Sequence, residues 1–249
     1  MTNAPYRDGL NKIVILNPKG GCGKTTLATN LASYFALRGP TPTLIDCDPK
    51  GYTERWLERR PPGNHNIKGI ASDKYVMHGN RNWPFRTPKE AGAVIIDTPA
   101  ALGPREITEL TYVADCILVP ILPSSFDVHV TTSFIAELLL LTDLDLPVAV
   151  VANRTRQNTK SLEMLMRILA DLETPTIAVL RNSQHYVHAA AHGLGIYEMP
   201  HFRVRQDLDQ MDLIIDWLDQ QLMRTFEPTL MSRVNPLPKP VASSAHGHK

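Results

Sequence analysis

The chain has 249 residues, 43% of them hydrophobic, and a formal net charge of +1. That length and apolar content suit one α/β layer structure with a full core, and the near-neutral balance sets no global demand for nucleic acid or an acidic membrane. Cys22, Cys47 and Cys116 lack metal-ligand spacing and cannot all pair, which points to a reducing, cytoplasmic setting. No apolar signal region opens the chain, and the apolar run at 134–141 contains Glu137 and is too short to span a bilayer, so no membrane partner is expected.

The first predicted strand covers 12–17, and a helical pattern follows over 25–38. Between them lies Lys19-Gly20-Gly21-Cys22-Gly23-Lys24-Thr25-Thr26. Strand, glycine loop and helix are what a phosphate-binding loop requires. Glycines let the backbone approach an anion, and the helix adds its positive end. Gly20, Gly21, Cys22, Gly23, Lys24, Thr25 and Thr26 are therefore the candidate nucleotide cradle. Lys24 is placed to reach the β- and γ-phosphates, and the Thr25 hydroxyl to meet Mg²⁺.

A strand at 42–46 ends in Asp46-Cys47-Asp48-Pro49-Lys50-Gly51, two carboxylates two residues apart. Residues 59–89 carry seven basic side chains against Asp73, with Tyr75, Trp83 and Phe85 interleaved. This run reads as a solvated surface, a DNA contact or an adaptor contact. The strand at 93–97 ends in Asp97, placed to hold Mg²⁺ through water, and Thr98 to Gly103 would sense the γ-phosphate. Further strands are predicted at 115–121, 147–152 and 176–180, and helices at 125–142, 158–171 and 203–225. The strands are continuous Val/Ile/Leu runs, as expected of parallel strands buried on both faces. The fold class is thus α/β, a doubly wound, mostly parallel sheet with helices on both faces and a site at the strand C-termini. His185, His188 and His192 share one helical face, a polar surface rather than a metal site. Residues 1–226 are expected to form the domain, and the Pro-rich stretch 227–249 a disordered tail.

The first glycine of the usual phosphate loop is replaced by Pro18, and a second lysine, Lys19, follows it. This resembles the deviant K-G-G-x-x-K-[ST] loop of the ParA/MinD family of dimerising ATPases. The Asp46–Gly51 segment is similar to that family's D-x-D-P-Q-G element, with Lys50 in place of glutamine. The stretch from Arg181 through Ser183, Ala189 and Gly195 to Glu198 resembles a further family element. The resemblance covers about residues 11–225 and implies ATP and Mg²⁺ as ligands. It implies that Lys19 crosses to the partner subunit's nucleotide, that Asp46 supports the metal shell, that Asp48 positions the attacking water and that Asn153 reads the adenine edge. It also implies slow hydrolysis stimulated by an adaptor protein, a homodimer formed with ATP, and non-specific binding to nucleoid DNA. Arg154, Arg156, Lys160, Arg181, Arg203 and Arg205 are the candidate DNA contacts. The element Trp56-Leu57-Glu58-Arg59-Arg60-Pro61 looks like small family members that position cargo such as carboxysomes or chemotaxis clusters. With the short lead before the first strand, no helix-turn-helix domain is expected. The alternative reading is a metabolic phosphate-loop ligase or kinase with its acceptor near 50–90.

Overall fold

A computed structural model describes residues 12–71, 92–142, 146–172 and 174–231. Of the 59–89 basic run, Lys74, Arg81, Arg86 and Lys89 lie outside the described residues, as do 232–249 of the expected tail.

Seven parallel strands form one sheet: β1 (Lys12–Ile15), β2 (Thr43–Asp46), β3 (Lys68–Ala71), β4 (Val94–Asp97), β5 (Cys116–Ile121), β6 (Val148–Thr155) and β7 (Thr176–Arg181). Their spatial order is β3-β2-β4-β1-β5-β6-β7. The helices are α1 (Lys24–Arg38), α2 (Tyr52–Glu58), α3 (Pro104–Val113), α4 (Ser125–Leu141), α5 (Lys160–Ala170), α6 (Gln184–Ala191) and α7 (His201–Met231). A short 3₁₀ turn spans Ile196–Glu198.

Successive strand residues point to opposite faces, and here both faces are buried. Ile13, Ile15, Leu44, Ile95, Leu118 and Val151 pack with α1, α6 and α7 on one side. Val14, Leu16, Ile45, Ile96, Ile117 and Val150 pack with α3, α4 and α5 on the other. This two-sided burial is why the strands read as unbroken apolar runs.

All six expected strands are present. The seventh, β3, is an edge strand whose Lys68, Gly69 and Ala71 are exposed, so it carries no apolar run. β6 runs three residues past the expected end at 152, through a register shift between Ala152 and Thr155. Arg154 adopts φ 50 in that bulge, and bulges of this kind re-aim side chains beside sites. α7 extends to Met231, past the helix end expected at 225.

β1 lies between β4 and β5, so the chain leaves its end in one direction for β2 and β4 and in the other for β5 to β7. A crevice opens at such a reversal, outside the carboxyl ends of the strands.

Candidate functional site

The loop after β1 fills that crevice. Gly21 and Gly23 take φ 79 and φ 104, the left-handed region that L side chains avoid. A Cβ at Gly23 would also stand 2.1 Å from Asn153 Nδ2, so glycine is required there twice over. Lys24 is buried, and its ammonium donates to the carbonyls of Asn17 (2.9 Å) and Lys19 (3.1 Å). The Lys19 N–H donates to Asn17 Oδ1 at 2.8 Å.

Asn17 is a member of the site that sequence reasoning missed. Its Nδ2 donates to Pro120 O at 2.7 Å and to Thr131 Oγ1 at 3.1 Å, tying the ends of β1 and β5 to α4. A polar residue ending an apolar strand just before the loop was the available signal.

Two carboxylates meet beside the loop, because Asp46 and Asp97 are paired in register at the ends of β2 and β4. Asp46 Oδ1 accepts the Asp48 N–H at 3.0 Å. Its Oδ2 accepts the Thr53 and Glu54 N–H groups at 3.0 and 3.2 Å. Asp46 thereby satisfies first-turn donors of α2, whose cap, Gly51, has no side chain. Burial nevertheless raises its pKa.

Asp97 is fully buried, and burial pushes its carboxyl up to about 7 against the opposing hydroxyls of Thr25 and Thr53. Its Oδ2 accepts from Thr53 Oγ1 at 2.8 Å, while Oδ1 has no hydrogen-bond partner. A buried carboxylate oxygen without a donor, next to a second carboxylate and the Thr25 hydroxyl, is a donor set suited to a hydrated hard cation. Asp48 folds into an Asx turn, its Oδ1 accepting the Lys50 N–H at 3.0 Å.

The segment after β4 lies against the loop. Thr98 Oγ1 donates to Ile15 O at 2.7 Å, and the Ala101 N–H to Pro18 O at 3.1 Å. Lys19 Nζ faces Asp127 of α4 at 3.7 Å.

Beside the loop is a cavity of about 450 Å³, lined by Thr26, Leu27, Asn30, Asn153, Arg181 and Tyr186 among others. Its size and its apolar floor suit a nucleoside. Asn153 lines it, but Nδ2 donates to Cys22 O at 2.8 Å and Oδ1 accepts the Arg154 N–H. The Asn153 amide therefore braces the phosphate loop.

Arg181 forms the cavity wall and is clasped from α7. Asp207, fully buried, takes its Nε at 2.6 Å and its Nη2 at 2.8 Å, and also His185 Nδ1 at 2.7 Å. The charge of Arg181 is thus matched within the chain, and His185 belongs to the same clasp. Arg154, Arg156, Lys160, Arg203 and Arg205 are exposed. Along α7 the exposed Asp209, Asp212 and Asp216 follow, so acidic side chains succeed the basic ones on that helix.

The segment around Trp56 makes a clamp. Arg60 pairs bidentately with Glu198, at 2.7 and 3.0 Å, and donates to Gly193 O at 3.1 Å. Trp56 Nε1 donates to Leu194 O at 3.3 Å. Among the described residues no helix is long and apolar enough to cross a membrane.

Residues 13–196 match the CobQ/CobB/MinD/ParA nucleotide-binding domain. The chain is 26% identical over 211 residues to the maintenance of carboxysome distribution protein A of Halothiobacillus neapolitanus, covering 82% of this chain and 94% of that one. Its fold is similar to that of a candidate plasmid partition protein from Borrelia burgdorferi bound to AMPPNP (TM-score 0.67, 13% identity, 84% of this chain and 99% of that one). It is also similar to apo McdA from Cyanothece (TM-score 0.63, 16% identity, 86% and 100%).

Proposed function

The chain belongs to the CobQ/CobB/MinD/ParA nucleotide-binding family, and on that premise we propose that it is a ParA-type ATPase that dimerises with ATP, binds DNA without sequence preference and positions a cellular cargo. The carboxysome-distribution relative supports the cargo-positioning branch. The observation that carries the reading is the pairing of a second loop lysine, Lys19, with a cation-ready carboxylate pair, Asp46 and Asp97, at one strand-end crevice.

In this reading Gly20 to Thr26 bind the phosphates through backbone N–H groups, and Lys24 exchanges its loop carbonyls for the β- and γ-phosphates. Thr25, Asp97 and Asp46 would hold Mg²⁺, directly or through water, and the ion would neutralise charge developing on the phosphate oxygens. Asp48 orients the attacking water. Lys19 reaches the partner subunit's nucleotide, so that hydrolysis needs the dimer. The nucleoside occupies the cavity bounded by Arg181 and Tyr186. An adaptor protein accelerates turnover and releases the dimer from DNA.

The DNA contacts we propose are Arg154, Arg156, Lys160, Arg203 and Arg205; Arg181 serves the clasp. A dimer would present two such patches, and each added phosphate contact steepens the salt dependence by about 0.9 log unit per log unit of salt. The test is retention on random-sequence DNA at low salt with ATP, with ADP and without nucleotide. ATP-specific retention is expected. Its absence would favour a small-molecule ligase or kinase.

A further inference from the structure

Asp127 is a buried carboxylate with one oxygen uncommitted. Its side chain is 10% exposed, and Oδ1 has no hydrogen-bond partner. Oδ2 is held by the Ser124 hydroxyl, and the Asp127 N–H donates to the same Ser124 Oγ at 3.3 Å. The group that faces Oδ1 is the ammonium of Lys19, at 3.7 Å, on a side chain that is 42% exposed.

The backbone at Lys19 is pinned. Its N–H donates to Asn17 Oδ1, and its carbonyl accepts from Lys24 Nζ at 3.1 Å and from Cys22 Sγ at 3.2 Å. The loop cannot easily shift as a whole, so the Lys19 side chain is the part free to swing. An ammonium held on Asp127 of its own chain is not available to a second copy. Phe126, 81% exposed, and Val130, 44% exposed, lie one residue before and three after Asp127 on α4.

We propose that Asp127 is a positioning residue for Lys19: it retains the lysine within its own subunit and sets the phosphate charge needed to draw it across to the partner's nucleotide. The inference rests on the dimer reading above. When Lys19 leaves, a buried carboxylate loses its counter-charge while the approaching copy dries its surroundings, which costs free energy. A triphosphate offers more negative charge to the lysine than a diphosphate does. Asp127 therefore separates ATP from ADP at the dimerisation step.

The experiment is sedimentation equilibrium of wild type, Asp127→Asn and Asp127→Glu with AMPPNP and with ADP, circular dichroism verifying the fold. Asp127→Ser, also suited to a helix's first turn, replaces Asp127→Asn if that variant does not fold. Removing the charge is expected to tighten the AMPPNP dimer about two- to fivefold, the range of a half-exposed ion pair, and to give a measurable ADP dimer. Asp127→Glu should behave as wild type. Rising salt should weaken the ADP dimer of Asp127→Asn more than that of wild type, in which the internal Lys19–Asp127 pair is screened at the same time, a difference that a purely structural helix cap would not produce. If wild type dimerises with AMPPNP and the neutral variants do so equally or more weakly, the latch is refuted while the dimer reading stands. If wild type stays monomeric with AMPPNP, the dimer reading falls and the latch with it.

Discussion

Replacing Arg60 by alanine tests how the segment after the Asp46–Asp48 element is held. The Arg60 and Glu198 side chains are 9% and 6% exposed. The guanidinium makes two bonds to the carboxylate, one each to the carbonyls of Gly193 (3.1 Å) and His65 (3.0 Å), and lies 5.0 Å from the Trp56 ring centroid. Alanine would leave Glu198 buried with only the Gly195 N–H at 2.8 Å, Asn64 Nδ2 at 3.2 Å and Ser33 to oppose its charge. Breaking one side of a buried pair costs ~3–5 kcal/mol, or about 10 °C in Tm for a domain of this size. Burial alone would raise the Glu198 carboxyl, but chiefly the Arg60 hydrogen bonds hold it below the usual carboxylate range. That contribution to wild-type stability is complete above the unfolded glutamate value of about 4.3 and is lost as pH falls through the lower folded value. In Arg60→Ala the depression is removed and protonation relieves the stranded charge. The difference between the two proteins should therefore shrink on going from pH 7 to pH 4. Urea denaturation at both pH values measures it. A loss under about 1 kcal/mol at pH 7, or one independent of pH, would refute the clamp.

Lys24→Ala should abolish nucleotide binding in calorimetry, since it removes the ammonium facing the β- and γ-phosphates. Lys19→Ala should keep nucleotide binding but lose the AMPPNP dimer by light scattering and lose turnover. Asp48→Ala should bind ATP normally and hydrolyse about a hundredfold more slowly in a phosphate-release assay, the usual cost of a lost water-orienting group. Arg203→Glu with Arg205→Glu should weaken ATP-dependent DNA retention while leaving ATP affinity unchanged, because both side chains are exposed near the start of α7.

The sequence made the sheet legible wherever strands are buried on both faces. β1, β2, β4, β5, β6 and β7 all carry apolar runs, and the phosphate loop announces itself by local chemistry. Three kinds of feature stayed hidden. β3 is a four-residue edge strand with Lys68 and Gly69, and α2 and α3 are 7 and 10 residues long, too short for clear periodicity. Pairings across long separations left no local trace: Arg60 and Glu198 are 138 residues apart. The sign of a surface also needed three dimensions. Arg181 reads as a free cation until Asp207, 26 residues on, is folded against it.

These contacts narrow where a γ-phosphate signal could travel. Asp46 fixes the first turn of α2, and Trp56 and Arg60 fasten the far end of that helix to residues 193–198. Between these anchors the Cys47 N–H donates to Asp97 O at 2.9 Å, and Asp48 makes a local turn with Lys50. On the other side, residues 98–103 are bonded to the phosphate loop through Thr98 and Ala101, and Ala101 takes φ 58, a conformation that alanine adopts only under constraint. The cavity wall at Arg181 is locked to α7 by Asp207. In the proposed ATPase a third phosphate would therefore act first on residues 98–103 and on the Lys19 side chain, which lie against the phosphate loop, while Trp56 and Arg60 keep the far end of α2 fastened to residues 193–198.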